Sequence, residues 1–352
     1  MPADGENGAE RSPPASDTFT AAPRHRGAAV GPCAARPERR ATTRGAPVGG
    51  SCPVHDRSPR AKLDDIRLRV ERYPWDALPD LGDWRFGPPA PRTRRVAERL
   101  LGSYDWRAAE RGLNRFPNPT AEVDGVALHA VHEWGSGNNP APVVLIHSWP
   151  NSVDDYYDLI EPLAHPERFG GDASDGVDVI LPSVAGYGWS GRPPGPQGRR
   201  REAGQIPKLV TESLGYDRYV AAGGDFGAII AGWLALDHPA AVAGIHPTAP
   251  NLRPAGGGWF ATDPPADFSQ DERDYLLWET GYLQLRMAHA GIQGSSPETL
   301  ADAEMDSPIG RASWLLEKFQ RWTDESGRPP DEIFGLDRLL ATDRGPRCAG
   351  GP

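Results

Sequence analysis

Hydrophobic and polar positions repeat in three ways along this chain, and each predicts a different element. Apolar residues recur at Leu63, Ile66 and Val70, the spacing of a short amphipathic helix that Pro74 ends. The loop "YPWDALPDLGDWRFG" carries Trp75 and Trp84, and "RRVAERLLGSYDWRAAERGLNRFP" is a second helical stretch with Val96, Leu100 and Leu101 on one face. Together they predict a helical arm packed on a larger domain. From Ala121 the pattern changes. "AEVDGVALHAVHEW" sets Asp124-Gly125 between two extended runs, a two-residue hairpin signal. "PVVLIH" and "VDVILPS" are unbroken apolar runs suited to parallel strands buried on both faces. Helical stretches separate the strands: "SVDDYYDLIEPLA", and "IPKLVTESLG" with Pro207 as its first helical residue. "RYVAAGGD", an apolar helix and "AVAGIHPTA" follow. Strands alternating with helices predict an α/β fold with a mostly parallel sheet. After Pro254 the pattern is helical again, through "DERDYLLWETGYLQLRMAHAGIQ" and "RASWLLEKFQRW", which reads as an inserted cap.

Composition adds boundaries. Residues 1–60 are rich in Pro, Ala, Gly, Arg and Ser without any period, so they are expected to be a disordered extension. They lack the apolar centre of a secretory signal. The best later apolar run, "AIIAGWLAL", is too short for a membrane span. With a net charge of −10 the chain is no electrostatic nucleic-acid binder, and a soluble cytoplasmic protein is expected. Cys33, Cys52 and Cys348 lie in the low-complexity ends without CxxC spacing, which argues against a disulfide framework or a metal site. The predicted plan is extension 1–60, arm 61–120, α/β core 121–253, helical cap 254–342 and unstructured tail 343–352.

One stretch carries chemistry. "GGDFGA", Gly223 to Ala228, lies between the strand "YVAA" and the helix "IIAGWLAL". That is the setting of a nucleophile elbow, where small residues flank a nucleophile held on a strained strand-to-helix turn. Here the tip is Asp225. A carboxylate attacks sp³ carbon in preference to acyl carbon, so Asp225 points to alkyl chemistry through a covalent ester. A helix N-cap in an ordinary turn is the plainer alternative. Ligands gather beyond the carboxyl ends of parallel strands. "HSWPNS", His147 to Ser152, follows the strand "VVLI" there, and its Trp149 N–H with the Phe226 N–H would make an oxyanion hole for ester hydrolysis.

From about Lys62 to about Thr342 the sequence resembles the microsomal-type epoxide hydrolases, α/β-hydrolases with an N-terminal arm. The likeness rests on "LDDIRLRVERYPWD", "YDWRAAERGLNRFP", "EVDGVALHAVHEW", "HSWPNS", "PSVAGYGWS", "LGYDRYVAAGGDFGAIIAGWLALDHP" and "MDSPIGRASWLLEKFQRWTD". It implies Asp225 as nucleophile, Trp149 and Phe226 as oxyanion donors, a small apolar epoxide as substrate, and neither cofactor nor metal. A homodimer is left open. Three departures stand out. Ser148 and Asn151 replace the glycines of the family's HGWPG turn, which predicts a strained or differently posed backbone. The family's proton-donating tyrosine lies four residues before a glutamine; counting back from Gln293 gives His289, with Tyr282 as a second candidate and a surface histidine as the plain reading of His289. No histidine follows His289, so the family's general base and its orienting acid are not found, and "DRGPRCAGGP" resembles nothing in the family. Two other readings remain: a haloalkane dehalogenase-like hydrolase, and a catalytically incomplete fragment produced by a premature stop or a shifted frame. His147 is expected to brace its turn and His246 to be a satisfied structural histidine behind a buried strand. His129 and His132 fall on opposite faces of the hairpin, and Ser190 in "GYGWSG" lacks an elbow.

Overall fold

A computed structural model describes residues 55–77, 79–138, 141–248, 266–323 and 327–343. The predicted extension up to residue 54, all three cysteines, the tail after 343 and the predicted start of the cap lie outside the described residues.

Six strands form one sheet: β1 (Thr120–Val123), β2 (Val126–Glu133), β3 (Val143–Ile146), β4 (Val179–Pro182), β5 (Tyr219–Gly224) and β6 (Val242–Thr248), in the order β1-β2-β4-β3-β5-β6. The hairpin joins β1 and β2 with Val123 opposite Val126. Its turn residues Asp124 and Gly125 both have positive φ, 52° and 77°, as a tight primed turn demands. β2 runs antiparallel to β4, and β4, β3, β5 and β6 are parallel.

The pleat splits the core in two. Val144, Ile146, Ile180 and Ala221 pack on one face, against Ile206 of α5 (Arg199–Pro207) and Ile230 and Leu234 of α6 (Phe226–Asp237). Leu145, Val131, Leu181 and Ala222 pack on the other, against Tyr157, Ile160 and Ala164 of α4 (Tyr157–Ala164). Strands covered on both faces need unbroken apolar sequence, which is what β3 and β4 have.

Two expectations are corrected. Pro207 does not start its helix: α5 begins at Arg199, and the chain continues through Pro207 into a π-helical turn, Lys208–Ser213. Proline lacks an N–H and crowds the preceding carbonyls, so the ladder widens there, and the Thr211 hydroxyl donates to the Pro207 carbonyl at 2.8 Å. β6 is not buried beyond its first residue. It is the sheet's edge, and His246 is exposed because no described strand pairs with its outer side.

The arm is α1 (Arg60–Glu71), α2 (Ala90–Leu101) and α3 (Trp106–Leu113). The later helices are α7 (Gln270–Arg286), α8 (Ala288–Ser295), α9 (Pro297–Asp306), α10 (Pro308–Trp322), α11 (Pro330–Ile333) and α12 (Leu336–Asp343). Arm and later helices share cores: Val96 and Tyr104 pack with Leu316, Leu339 and Leu340, and Val70 and Ala97 with Ile309. Ion pairs reinforce this contact, with Arg92 and Arg95 converging on the buried Asp331 at 3.3 and 2.6 Å and Arg99 holding Asp337 at 2.7 Å. Among the described residues no helix is long and apolar enough to cross a membrane.

Candidate active site

The site begins where β3 and β5 end side by side, with Ile146 opposite Gly223. β5 turns into α6 at Asp225, whose φ of 49° and ψ of −119° lie in a region few side chains adopt. The flanking glycines are dictated by contact. A Cβ on Gly227 would stand 2.1 Å from the Ile146 carbonyl oxygen and one on Gly223 2.6 Å from the same atom. The elbow is thus wedged against the end of β3, and its tip projects past the carboxyl edge of the sheet. Solvent reaches the Asp225 side chain, though protein crowds it. That crowding raises its carboxyl above the ordinary carboxylate range, while the Phe226 N–H and the Arg199 guanidinium pull it down.

The "HSWPNS" turn leaves β3 beside this tip. His147 is fully buried and anchors it: Nε2 accepts the Val184 N–H at 3.1 Å, Nδ1 faces the Ser148 carbonyl at 3.4 Å, and Tyr187 packs against the ring at 5.2 Å. Burial holds His147 down to about 4, so it is neutral. The glycine replacements do not put the turn in the left-handed region. Among the described non-glycine residues only Asp124 and Asp225 have positive φ, so neither Ser148 nor Asn151 takes the left-handed backbone that favours glycine. The Trp149-Pro150 peptide is cis.

Asp154 and Asp155 follow in a 3₁₀ turn, Val153–Tyr156. Burial, reinforced by the Asp154 charge, pushes Asp155 up to about 8 against the opposing pull of Asn151 and Arg338. The folded chain therefore keeps a proton there that the unfolded chain releases near pH 4, so the stability this site contributes is intact below about pH 4 and is lost as pH rises toward 8. Asp155→Asn, which is neutral at every pH, is expected to raise the melting temperature relative to the parent by at least about 2 °C at pH 8 and by little at pH 4. Equal effects at both pH values would refute this.

Of the two cap candidates, the structure brings one to the turn. His289 of α8 is buried, not on the surface, and stacks on the Trp149 indole at 4.9 Å with planes 9° apart, with Trp322 of α10 at 5.1 Å. Burial, with Lys318 nearby, lowers it to about 4, so it is a neutral imidazole at pH 7. Its Nδ1 is buried without a hydrogen-bond partner. Tyr282 stacks instead on Trp278 at 5.4 Å under the Arg286 guanidinium, on an exposed face of α7.

Three further histidines are occupied. His129 bonds Ser183 and Asn118 at 2.9 and 3.0 Å. His132 bonds Tyr216 at 2.8 Å, which donates to Asp178 at 2.6 Å. His165 pairs with Glu133 at 2.9 Å. Glu133 lies opposite Val179, the first residue of β4, so that histidine–carboxylate pair and the Asp178 relay sit at the end of the sheet away from Asp225. Ser190 donates to the Ser183 carbonyl at 2.7 Å and braces a loop. No cluster of candidate metal ligands occurs among the described residues. Sequence reading passed over Arg199, which sits in "GRRREAG" like any surface charge run.

A mostly parallel sheet with a glycine-pinched strand–elbow–helix carrying its nucleophile candidate beyond the strand ends is the architecture of the α/β-hydrolases. Residues 141–296 match the family model described as alpha/beta hydrolase fold, and residues 52–156 the one described as Epoxide hydrolase N terminus. The chain belongs to the microsomal-type epoxide hydrolase family. A Stigmatella aurantiaca protein assigned to the epoxide hydrolases is 34% identical over 291 residues, covering 83% of this chain and 64% of the relative. Epoxide hydrolase 1 of Sus scrofa is 29% identical over 298 residues, covering 79% and 65%. The chain thus spans a little under two thirds of the length of these relatives. In three dimensions the Aspergillus niger epoxide hydrolase superposes with a TM-score of 0.69 at 24% identity, covering 84% of this chain and 76% of that one. The Bombyx mori juvenile hormone epoxide hydrolase gives 0.68 at 21%, covering 84% and 72%. At these identities the structures attest the fold.

Proposed function

We propose that this chain opens a small apolar epoxide by attack of Asp225. The observation that carries the reading is a carboxylate, in place of a hydroxyl or thiol, on a strained and solvent-reached elbow tip. In the first step a carboxylate oxygen bonds to a ring carbon, the carbon–oxygen bond breaks, and its electron pair stays on oxygen. His289, held against Trp149, is our candidate for the group that offers that oxygen an N–H, and being neutral it acts as a hydrogen-bond donor of modest acidity. The product is an alkyl ester of Asp225. Hydrolysis to the vicinal diol needs water activated by a base, with the tetrahedral oxyanion held by the N–H groups of Trp149 and Phe226.

No described histidine–carboxylate hydrogen-bonded pair lies at the elbow end of the sheet, so the second step is the slow one in this reading. The reaction needs no metal or cofactor, and we place it in the cytoplasm. Incubating the full chain with excess styrene oxide and recording the intact protein mass tests it. A mass increase of one epoxide that outlasts removal of the reagent is expected. Unmodified protein together with absence of diol counts against the reading.

A further inference from the structure

Arg199 opens α5 and meets the elbow from the side. Its guanidinium carbon lies 3.8 Å from the centre of the Phe226 ring, close even for a cation–π contact. Its Nη1 bonds both carboxylate oxygens of Glu202 one helical turn later, at 2.7 and 2.6 Å. The Glu202 side chain is 6% exposed and that of Arg199 16%. Surface ion pairs contribute little because water competes for both partners, but this pair is largely withdrawn from water, and its cation faces the residue after Asp225. The neighbouring Arg200 offers a comparison. It lies over Trp233 at 4.4 Å and bonds Asp237 at 2.7 Å, again a ring and a carboxylate, but with both partners on α6. One clamp would suffice to pin α5 to α6, and only the Arg199 clamp is beside the nucleophile.

We infer that Arg199 is a positioning residue of the elbow: Glu202 locks its guanidinium over the Phe226 ring, fixing the residue after Asp225 and setting a permanent cation beside the Asp225 carboxylate. The inference rests on Asp225 being the nucleophile. Among the described residues the other groups around Asp225 supply no comparable charge. His147, on the turn after β3, and His289, on α8, are neutral; Tyr156 reaches toward the Ile146 carbonyl at 3.4 Å. Asp154 and Asp155 lie in the 3₁₀ turn with burial raising both, and α6 carries no charged residue before Asp237. Among the described residues Arg199 is thus the cation that favours the ionised form of the Asp225 carboxylate.

The test follows the Asp225 carboxyl carbon by NMR in full-length protein labelled at aspartate, its resonance assigned by its loss in Asp225→Asn. Arg199→Met is expected to move the Asp225 titration to higher pH, and Arg199→Lys to restore most of the parent midpoint. Arg200→Met should lower thermal stability comparably without moving that midpoint. Styrene oxide labelling at pH 7 is expected to slow about tenfold in Arg199→Met. An Asp225 midpoint unchanged in Arg199→Met, or displaced as much by Arg200→Met, would overturn the inference. Should Arg199→Met not fold, Glu202→Gln keeps the shape and loosens the clamp, and an upward shift in its Asp225 titration supports the inference while none overturns it. The titration reports on Arg199 whether or not the parent is alkylated, so a failure of the nucleophile reading shows separately, as an unlabelled parent.

Discussion

Asp225→Asn is expected to abolish covalent labelling by an epoxide, lowering the rate of adduct formation by at least about a thousandfold. The amide is nearly isosteric with the carboxylate and can occupy the same elbow, whose geometry is set by backbone contacts around Gly223 and Gly227. What it lacks is the anionic oxygen that forms the bond to carbon. The carboxylate is also well suited to the task electrically. Crowding raises its proton affinity, and with it its nucleophilicity, while the Phe226 N–H and the Arg199 guanidinium favour its ionised form. The check is intact mass followed by peptide mapping. The adduct must map to the peptide that contains Asp225 in the parent and be missing from the variant, whose circular dichroism should match the parent. Persistent labelling in Asp225→Asn would show that another residue is the nucleophile.

The second large effect is structural. Gly227→Ala is expected to destabilise the chain by about 3 kcal/mol. The added methyl would sit 2.1 Å from the Ile146 carbonyl oxygen and 3.0 Å from its carbon, and these are backbone atoms of a central strand that cannot swing aside. Either α6 lifts off the sheet or β3 shifts, and both disturb the elbow. Gly232, on the same helix, is the control: nothing lies within 4 Å of its Cβ position, so Gly232→Ala is expected to gain about 0.5–1 kcal/mol from helix propensity. Urea denaturation of both variants at constant m-value measures the pair. Similar midpoints would mean that the close approach of β3 and α6 is not what the elbow glycine serves.

Local pattern decided much of this protein. The apolar runs of β3 and β4 suited strands covered on both faces, Asp124-Gly125 suited a tight hairpin, and a carboxylate between glycines after a strand announced the elbow. These features act over a few residues, so the chain carries them whole. Relations between distant segments were legible only in part. The sequence counted His289 into the site but could not say that it would be buried on Trp149, because that contact depends on how α8 lies over the turn after β3. It offered Tyr282 as a second candidate, and only the orientation of α7 turned that ring outward. It described the arm and the later helices as separate pieces, whereas Val96 and Leu316, more than two hundred residues apart, share one core. It rendered Arg199 as one of several surface charges, since nothing in "GRRREAG" shows that the first of those arginines lies over an aromatic ring next to Asp225. Periodicity reports which face of an element is apolar, and only the packed structure decides what that face, and each charge at its margin, will meet.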